Sequence, residues 1–205
     1  MRETAYGQER GLSLVDRFGT GWSAFSVRAA VGTFDGKRLG DFGAGYDARL
    51  ACRLLPSLAH AVVVDLALSP RLSGREKITP LEGKLPEIAQ RVPEASLDIA
   101  LCISVLEHLW EPEMMLRELY RVLRPGGICV VNVPTWRGKV FLELSAFRLG
   151  LSPVAEMDDH KTYYDPRDLW PLLVRSGFAP RHIRCRRHKL GLNTLAVCRK
   201  GGGRS

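Results

Sequence analysis

Long apolar runs are missing from this sequence of 205 residues, and none approaches the ~20 residues of a membrane span. No transmembrane helix is therefore expected. The opening residues, MRETAYGQERG, lack a hydrophobic core and do not read as a secretory signal. The five cysteines, Cys52, Cys102, Cys129, Cys185 and Cys198, are scattered, with no C-x-x-C among them. That spacing argues against a metal–thiolate site. Several fall in apolar runs, as the reduced core thiols of a cytoplasmic protein would. Internal repeats and low-complexity tracts are also missing; only the tail GGGRS, 201–205, reads as disordered.

What is there is an ordinary soluble balance, 45% apolar and 25% charged. The length suits one domain with a sizeable core. The pattern divides it into a helical or looped segment 1–36 and a domain over 37–200, with an inserted, lid-like stretch at 135–164. The net charge of +8 is concentrated late, in Arg181-His-Ile-Arg184-Cys-Arg186-Arg187-His-Lys189. Such a run reads first as an edge strand guarded by basic residues. An anionic lipid surface, a phosphate-bearing substrate or nucleic acid would also be attracted to it. No aromatic residues interleave with it as a single-strand stacking platform needs, so nucleic acid is not the expected partner.

From residue 37 strand-like and helix-like segments alternate. Lys37–Phe42, Ala61–Asp65, Ile78–Leu81, Leu97–Ile103 and Ile128–Val133 read as strands, the second β-branched and apolar throughout. A helix carries Leu50, Ala51, Leu54, Leu55 and Leu58 until Pro56 cuts or bends it. A second opens at Pro112, with Met115, Leu116, Leu119, Val122 and Leu123 on one face, and stops at Pro125-Gly126-Gly127. Asp165-Pro166-Arg-Asp168 resembles an acidic capping box opening a third helix, which Gly177 ends. His182–Arg186 and Thr194–Cys198 close the series, joined by a turn so short that one must run antiparallel. The expected fold is α/β: a doubly wound, mostly parallel seven-stranded sheet with helices on both faces.

In such a sheet a ligand lies beyond the carboxyl ends of the strands, where strand order reverses. The loop after the first strand reads Asp41-Phe-Gly43-Ala44-Gly45-Tyr-Asp-Ala48 and satisfies G-x-G-x-x-G/A. Its glycines let the backbone approach a ligand, and Asp65 falls about 20 residues beyond Gly45, placed to accept ribose hydroxyls. These residues point to an adenosine cofactor without choosing between a nicotinamide dinucleotide and S-adenosylmethionine (SAM). The acid Asp41 then matters: a carboxylate there repels a pyrophosphate but suits a ligand with an amino group and a sulfonium.

The downstream order resembles the class I SAM-dependent methyltransferases, particularly the small-molecule, type 11-like branch. The matching residues are D-x-G-x-G at Asp41–Gly45, Asp65, "EASLDIALCISVLEHL" at 94–109, "LYRVLRPGGICVVNVP" at 119–134 and "YYDPRDLWPLLVRSGF" at 163–178. The resemblance covers about residues 37–200 and implies a Rossmann-like fold with SAM as cofactor. It also implies that Gly43, Ala44 and Gly45 face the methionine part, with Asp41 holding the ammonium. Asp65 would take the ribose and Leu66 the adenine, with Glu82-Gly83 at the adenine edge and Cys102 and Ile103 on the other side. For Asp98 a place at a strand entry, outside the chemistry, is expected.

An oxygen acceptor must lose a proton, for which a histidine is suited. His108 follows the fourth strand, and His160 stands in Asp158-Asp159-His160-Lys161 before the capped helix; His160, oriented by Asp158 and Asp159, is the expected base. Glu107-His108 also resembles metal-assisted methyltransferases of the ubiquinone-biosynthesis type, in which a further Glu stands three residues earlier. Here that position is Ser104, and no metal is expected. The Asn-Pro-Pro-aromatic motif of amino-group methyltransferases is absent, which leaves a small-molecule or glycan-type oxygen acceptor. In the long connection Thr135–Tyr164, Phe141, Leu144, Phe147 and Leu151 recur at helical spacing, flanked by Arg137, Lys139 and Arg148. That stretch reads as an acceptor lid, a core helix or a peripheral membrane contact, the last compatible with a lipid-linked acceptor. The alternative from another class is a SAM-binding regulatory or scaffolding protein without catalysis.

Overall fold

Seven strands form one sheet in the order β3-β2-β1-β4-β5-β7-β6 in the computed structural model, which describes residues 7, 24–140 and 160–202. The strands are β1 (Arg38–Phe42), β2 (His60–Asp65), β3 (Ile78–Glu82), β4 (Leu97–Ile103), β5 (Leu123–Pro134), β6 (Ile183–His188) and β7 (Asn193–Arg199). β1 to β5 are parallel; β7 runs antiparallel to both β5 and β6. The order reverses between β1 and β4, so the crevice expected of a doubly wound sheet opens above those two strands.

Period-2 alternation sorts the strand residues between two cores. On one face Leu39, Val63, Leu101, Val130 and Leu195 pack under α1 (24–31) and α2 (Arg49–Leu54). On the other, Phe42, Val64, Cys102, Val131 and Ala196 pack under α3 (Pro112–Val122) and α5 (Pro166–Arg175). Cys102, Cys129 and Cys198 are buried free thiols. α2 gives way at Leu55–Ser57 to a short 3-10 turn, as Pro56 requires. Asp165 and Asp168 form the expected capping box, with the Asp165 N–H donating to Asp168 Oδ2 at 3.0 Å. Asp98 lies in β4, accepts from the Arg38 N–H at 2.8 Å and pairs with Arg124, which makes it structural.

The largest departure from the expected boundaries is at β5, which begins at Leu123, a residue expected on the preceding helix. Pro125-Gly126-Gly127 stops α3 but does not precede β5; it lies inside it, with a register shift opposite Leu97 and Ile99. The reason is tertiary. The Gly126 N–H donates to the Lys200 carbonyl at 2.9 Å and the Gly127 carbonyl accepts from the Lys200 N–H at 3.0 Å, so the end of the chain recruits the turn into the sheet. The basic run forms β6, the outermost strand, as its charge suggested. α4 (136–140) follows β5; Phe141, Leu144, Phe147, Arg148 and Leu151 of the expected lid lie outside the described residues, as do Asp158 and Asp159.

Gly43 is the tightest point of the first turn. Its φ is +82°, and a Cβ there would collide with Val105 Cγ2 in the loop after β4. Gly43→Ala is therefore expected to cost about 2–5 kcal/mol, from a left-handed backbone and overpacking together. A chemical-denaturation midpoint unchanged in this variant would refute the close approach.

Candidate active site

The first crossover builds the crevice from backbone donors. After β1, the Gly43 and Ala44 N–H groups both donate to the Val64 carbonyl, at 2.8 and 3.1 Å, which binds the turn to the end of β2. Asp65 then holds the opening from the other side: Oδ2 accepts from the Gly45 N–H and Oδ1 from the Leu66 N–H, each at 2.7 Å. These two bonds fix the orientation of the carboxylate at the mouth of the crevice. Glu82 performs the same service one strand further out, accepting from the Leu68 N–H at 2.7 Å, while the Gly83 N–H donates to the Asp65 carbonyl at 3.0 Å.

Asp41 lies beneath this rim, 3% exposed, and its Oδ2 has no hydrogen-bond partner among the described residues. Burial pushes its pKa up to about 7, and the nearby Asp65 carboxylate pushes the same way. A buried, unsatisfied carboxylate beside a cavity rim awaits a donor or a cation. Cys102 lies fully buried, its thiol pushed up by burial and by the Glu107 and Asp41 carboxylates, with the half-buried Ile103 next to it. Asp41, Gly43, Ala44, Gly45, Asp65, Leu66, Glu82, Gly83, Cys102 and Ile103 thus all stand at the carboxyl ends of four neighbouring strands.

The histidines meet at the same edge. His108 ends the 3-10 turn Leu106–His108 after β4, and His160 precedes α5, yet their ring centroids are 4.8 Å apart, edge to face. A backbone bond explains the meeting: the Lys161 N–H donates to the Glu107 carbonyl at 2.6 Å. His160 Nδ1 meets Tyr163 Oη at 3.1 Å, and the Tyr163 ring lies 5.5 Å from Trp136 of α4.

Sequence reasoning missed two buried groups here, Asn132 and Tyr164, and the burial of a third, Glu107. Glu107 is 1% exposed, its carboxyl pushed by burial up to about 8, and its Oε2 has no hydrogen-bond partner among the described residues. Asn132 of β5 and the Tyr164 hydroxyl are likewise unsatisfied, the latter pushed up by burial and by Glu107. In the sequence Glu107 stood out through Glu107-His108, and its place in the apolar run "SVLEHLW" was the available signal for its burial; nothing comparable marks Asn132 or Tyr164.

Residues 40–131 match the methyltransferase-domain family, which takes in the glycine turn, Asp65 and Glu107-His108. A probable S-adenosylmethionine-dependent methyltransferase of Mycobacterium tuberculosis is 29% identical over 92 residues, covering 45% of this chain and 33% of that one. Residues 40–131 carry a methyltransferase domain of the class I, SAM-dependent, type 11 kind. The match spans a third of the length of that mycobacterial relative. A ubiquinone biosynthesis O-methyltransferase of Aeromonas salmonicida is 26% identical over 158 residues, covering 72% of this chain and 65% of that one. Among solved structures, the methyltransferase fold recurs in the 1,6-didemethyltoxoflavin-N1-methyltransferase of Burkholderia thailandensis, crystallised with S-adenosylhomocysteine. The TM-score is 0.62, the identity 20%, and the coverage 87% of this chain and 76% of that one. His160 lies beyond the matched span of the methyltransferase domain, so the fold alone brings it to the site. Among the described residues no helix is long and apolar enough to cross a membrane.

Proposed function

We propose that this methyltransferase carries a methyl group from SAM to a hydroxyl oxygen of a small-molecule or glycan-type acceptor, held beside His108 and His160. The observation that carries the reading is that the buried Asp41 carboxylate and the histidine cluster stand at the same carboxyl edge of the sheet. A buried carboxylate with an unsatisfied oxygen suits the ammonium of SAM, and the glycine turn braced by Asp65 suits its ribose. Leu66, Glu82 and Gly83 would frame the adenine, with Cys102 and Ile103 on the opposite wall. Bound there, SAM supplies an electrophilic methyl on a sulfonium. The chain orients the acceptor oxygen behind it, which accounts for most of the acceleration. His160 takes the acceptor proton, with Tyr163 holding its ring and His108 shaping the floor.

Thermal-shift titration tests the cofactor: SAM and its demethylated product should both raise the melting temperature. A shift with a nicotinamide dinucleotide and none with either SAM species would sink the reading. A panel of phenols, hydroxy acids and saccharides, followed by mass spectrometry for a gain of one methyl, then tests the acceptor; transfer to amines alone would overturn the oxygen assignment. Asp65→Ala should weaken SAM binding by about 1–2 kcal/mol, since it removes charge-assisted hydrogen bonds and loosens the Gly45 turn. An affinity equal to wild type would show that Asp65 faces elsewhere.

A further inference from the structure

Three potential metal donors converge beside the acceptor side of the crevice. One carboxylate oxygen of Glu107 and one ring nitrogen each of His108 and His160 lie within 4.8 Å of one another. They come from two separate segments, the turn after β4 and the stretch before α5, clamped by the 2.6 Å bond from the Lys161 N–H to the Glu107 carbonyl. Glu107 is the informative member. It is 1% exposed, and Oε2 has no hydrogen-bond partner among the described residues, an arrangement whose desolvation cost a bound cation would offset. His160 Nδ1 meets Tyr163 Oη at 3.1 Å, the kind of contact that fixes a ligating imidazole from behind.

We propose that Glu107, His108 and His160 bind a divalent transition-metal ion of the zinc class, and that the bound ion silences the site by occupying the imidazole of His160. The donor set, two imidazoles and one carboxylate, suits zinc, and cobalt as its probe, over magnesium or calcium, which prefer all-oxygen shells. Metal–nitrogen bonds of about 2.0–2.1 Å bring tetrahedral donors to about 3.3 Å apart, so the side chains must close by about 1.5 Å. Ser104, where the metal-assisted pattern has a further acid, then does not decide the matter, because the third donor arrives from a distant segment. The inhibitory half rests on the proposed role of His160 as base; the metal site itself does not.

The test uses the full chain and Co²⁺ as probe. Titration should develop a visible d–d absorption that saturates at one equivalent and is displaced by Zn²⁺. Glu107→Gln, nearly isosteric, and His160→Ala should each weaken binding by about tenfold or more, through loss of one of three donors. Their far-ultraviolet circular dichroism, compared with wild type, shows that the fold is kept. No d–d band, or one whose affinity is unchanged in both variants, overturns the site. An intense near-ultraviolet charge-transfer band overturns it too, by placing the ion on cysteine thiolates. With an acceptor from the panel, Zn²⁺ at binding concentrations should stop methyl transfer. Binding without loss of turnover overturns the inhibitory half and removes His160 as base, whereas a Co²⁺-silent chain that still needs His160 for turnover leaves the base reading standing.

Discussion

Replacing His160 with alanine is expected to lower turnover about 10²–10⁴-fold, the range of a lost general base, while SAM affinity stays within a few fold. The separation follows from position. The proposed cofactor rim comprises Asp41, the glycine turn, Asp65 and Glu82 on β1, β2 and β3, whereas the segment carrying His160 is tied to the sheet edge by backbone bonds from Lys161 to Glu107 and from Tyr164 to Pro134. Removing His160 should therefore strike kcat rather than the dissociation constant of SAM. His108→Ala should cost less, because in the proposed reading His108, in the turn after β4, shapes the floor and moves no proton. Steady-state rates with an acceptor from the panel, read beside SAM dissociation constants for each variant, decide the matter. A His160→Ala enzyme with full activity would leave proximity as the main source of catalysis.

SAM affinity is expected to fall about 50-fold as pH drops from 7 to 5, steepening toward a decade per unit, because binding must first strip a proton from Asp41. Its folded pKa, about 7, lies above the ordinary 3.8, with burial the leading cause and Asp65 the second. An ammonium ion placed beside it favours the charged form and returns the value toward the ordinary range, so protons are released on binding below pH 7. Calorimetry in buffers of different ionisation enthalpy should detect that release. Adenosine, which carries no ammonium, supplies the control and should bind with little pH dependence. The same shift has a consequence for the ligand-free fold. A raised carboxyl pKa contributes stability that is fully present below 3.8 and is lost as pH rises through about 7. Asp41→Asn should thus raise the melting temperature of the free protein at pH 8 and abolish the pH dependence of SAM binding. A pH-independent SAM affinity in the wild type would show that Asp41 does not face the ammonium.

Much of the scaffold was readable because strand burial leaves a strong periodic trace. Ala61-Val-Val-Val-Asp65 and Leu97–Ile103 are apolar on both faces, which is how a strand covered by helices on both sides must look. The capping box at Asp165–Asp168 and the proline at the start of α3 are local chemistry, and both are found where the residues put them. The Pro125-Gly126-Gly127 turn was misplaced because its partner, Lys200, lies 74 residues or so later in the chain. Glu107 carried a faint signal, an acid in an apolar run, while Asn132 and Tyr164 became notable only when packing left their polar atoms unsatisfied.

The sequence by itself determined the alternation of strands and helices, the glycine turn after β1 and the acid closing β2, because each depends on residues near one another in the chain. Periodicity, φ preference and carboxylate spacing are local properties, and local properties are written consecutively. Only the tertiary structure decided that Asp41 is a buried carboxyl with a raised pKa, since desolvation is set by the surrounding strands and by Asp65 across the turn. It alone decided that His108 and His160 stand 4.8 Å apart around Glu107, since that meeting requires the segment before α5 to return to the end of β4 and bond there. Packing and long-range hydrogen bonds couple residues far apart in the chain, and no window of neighbouring residues encodes their distance.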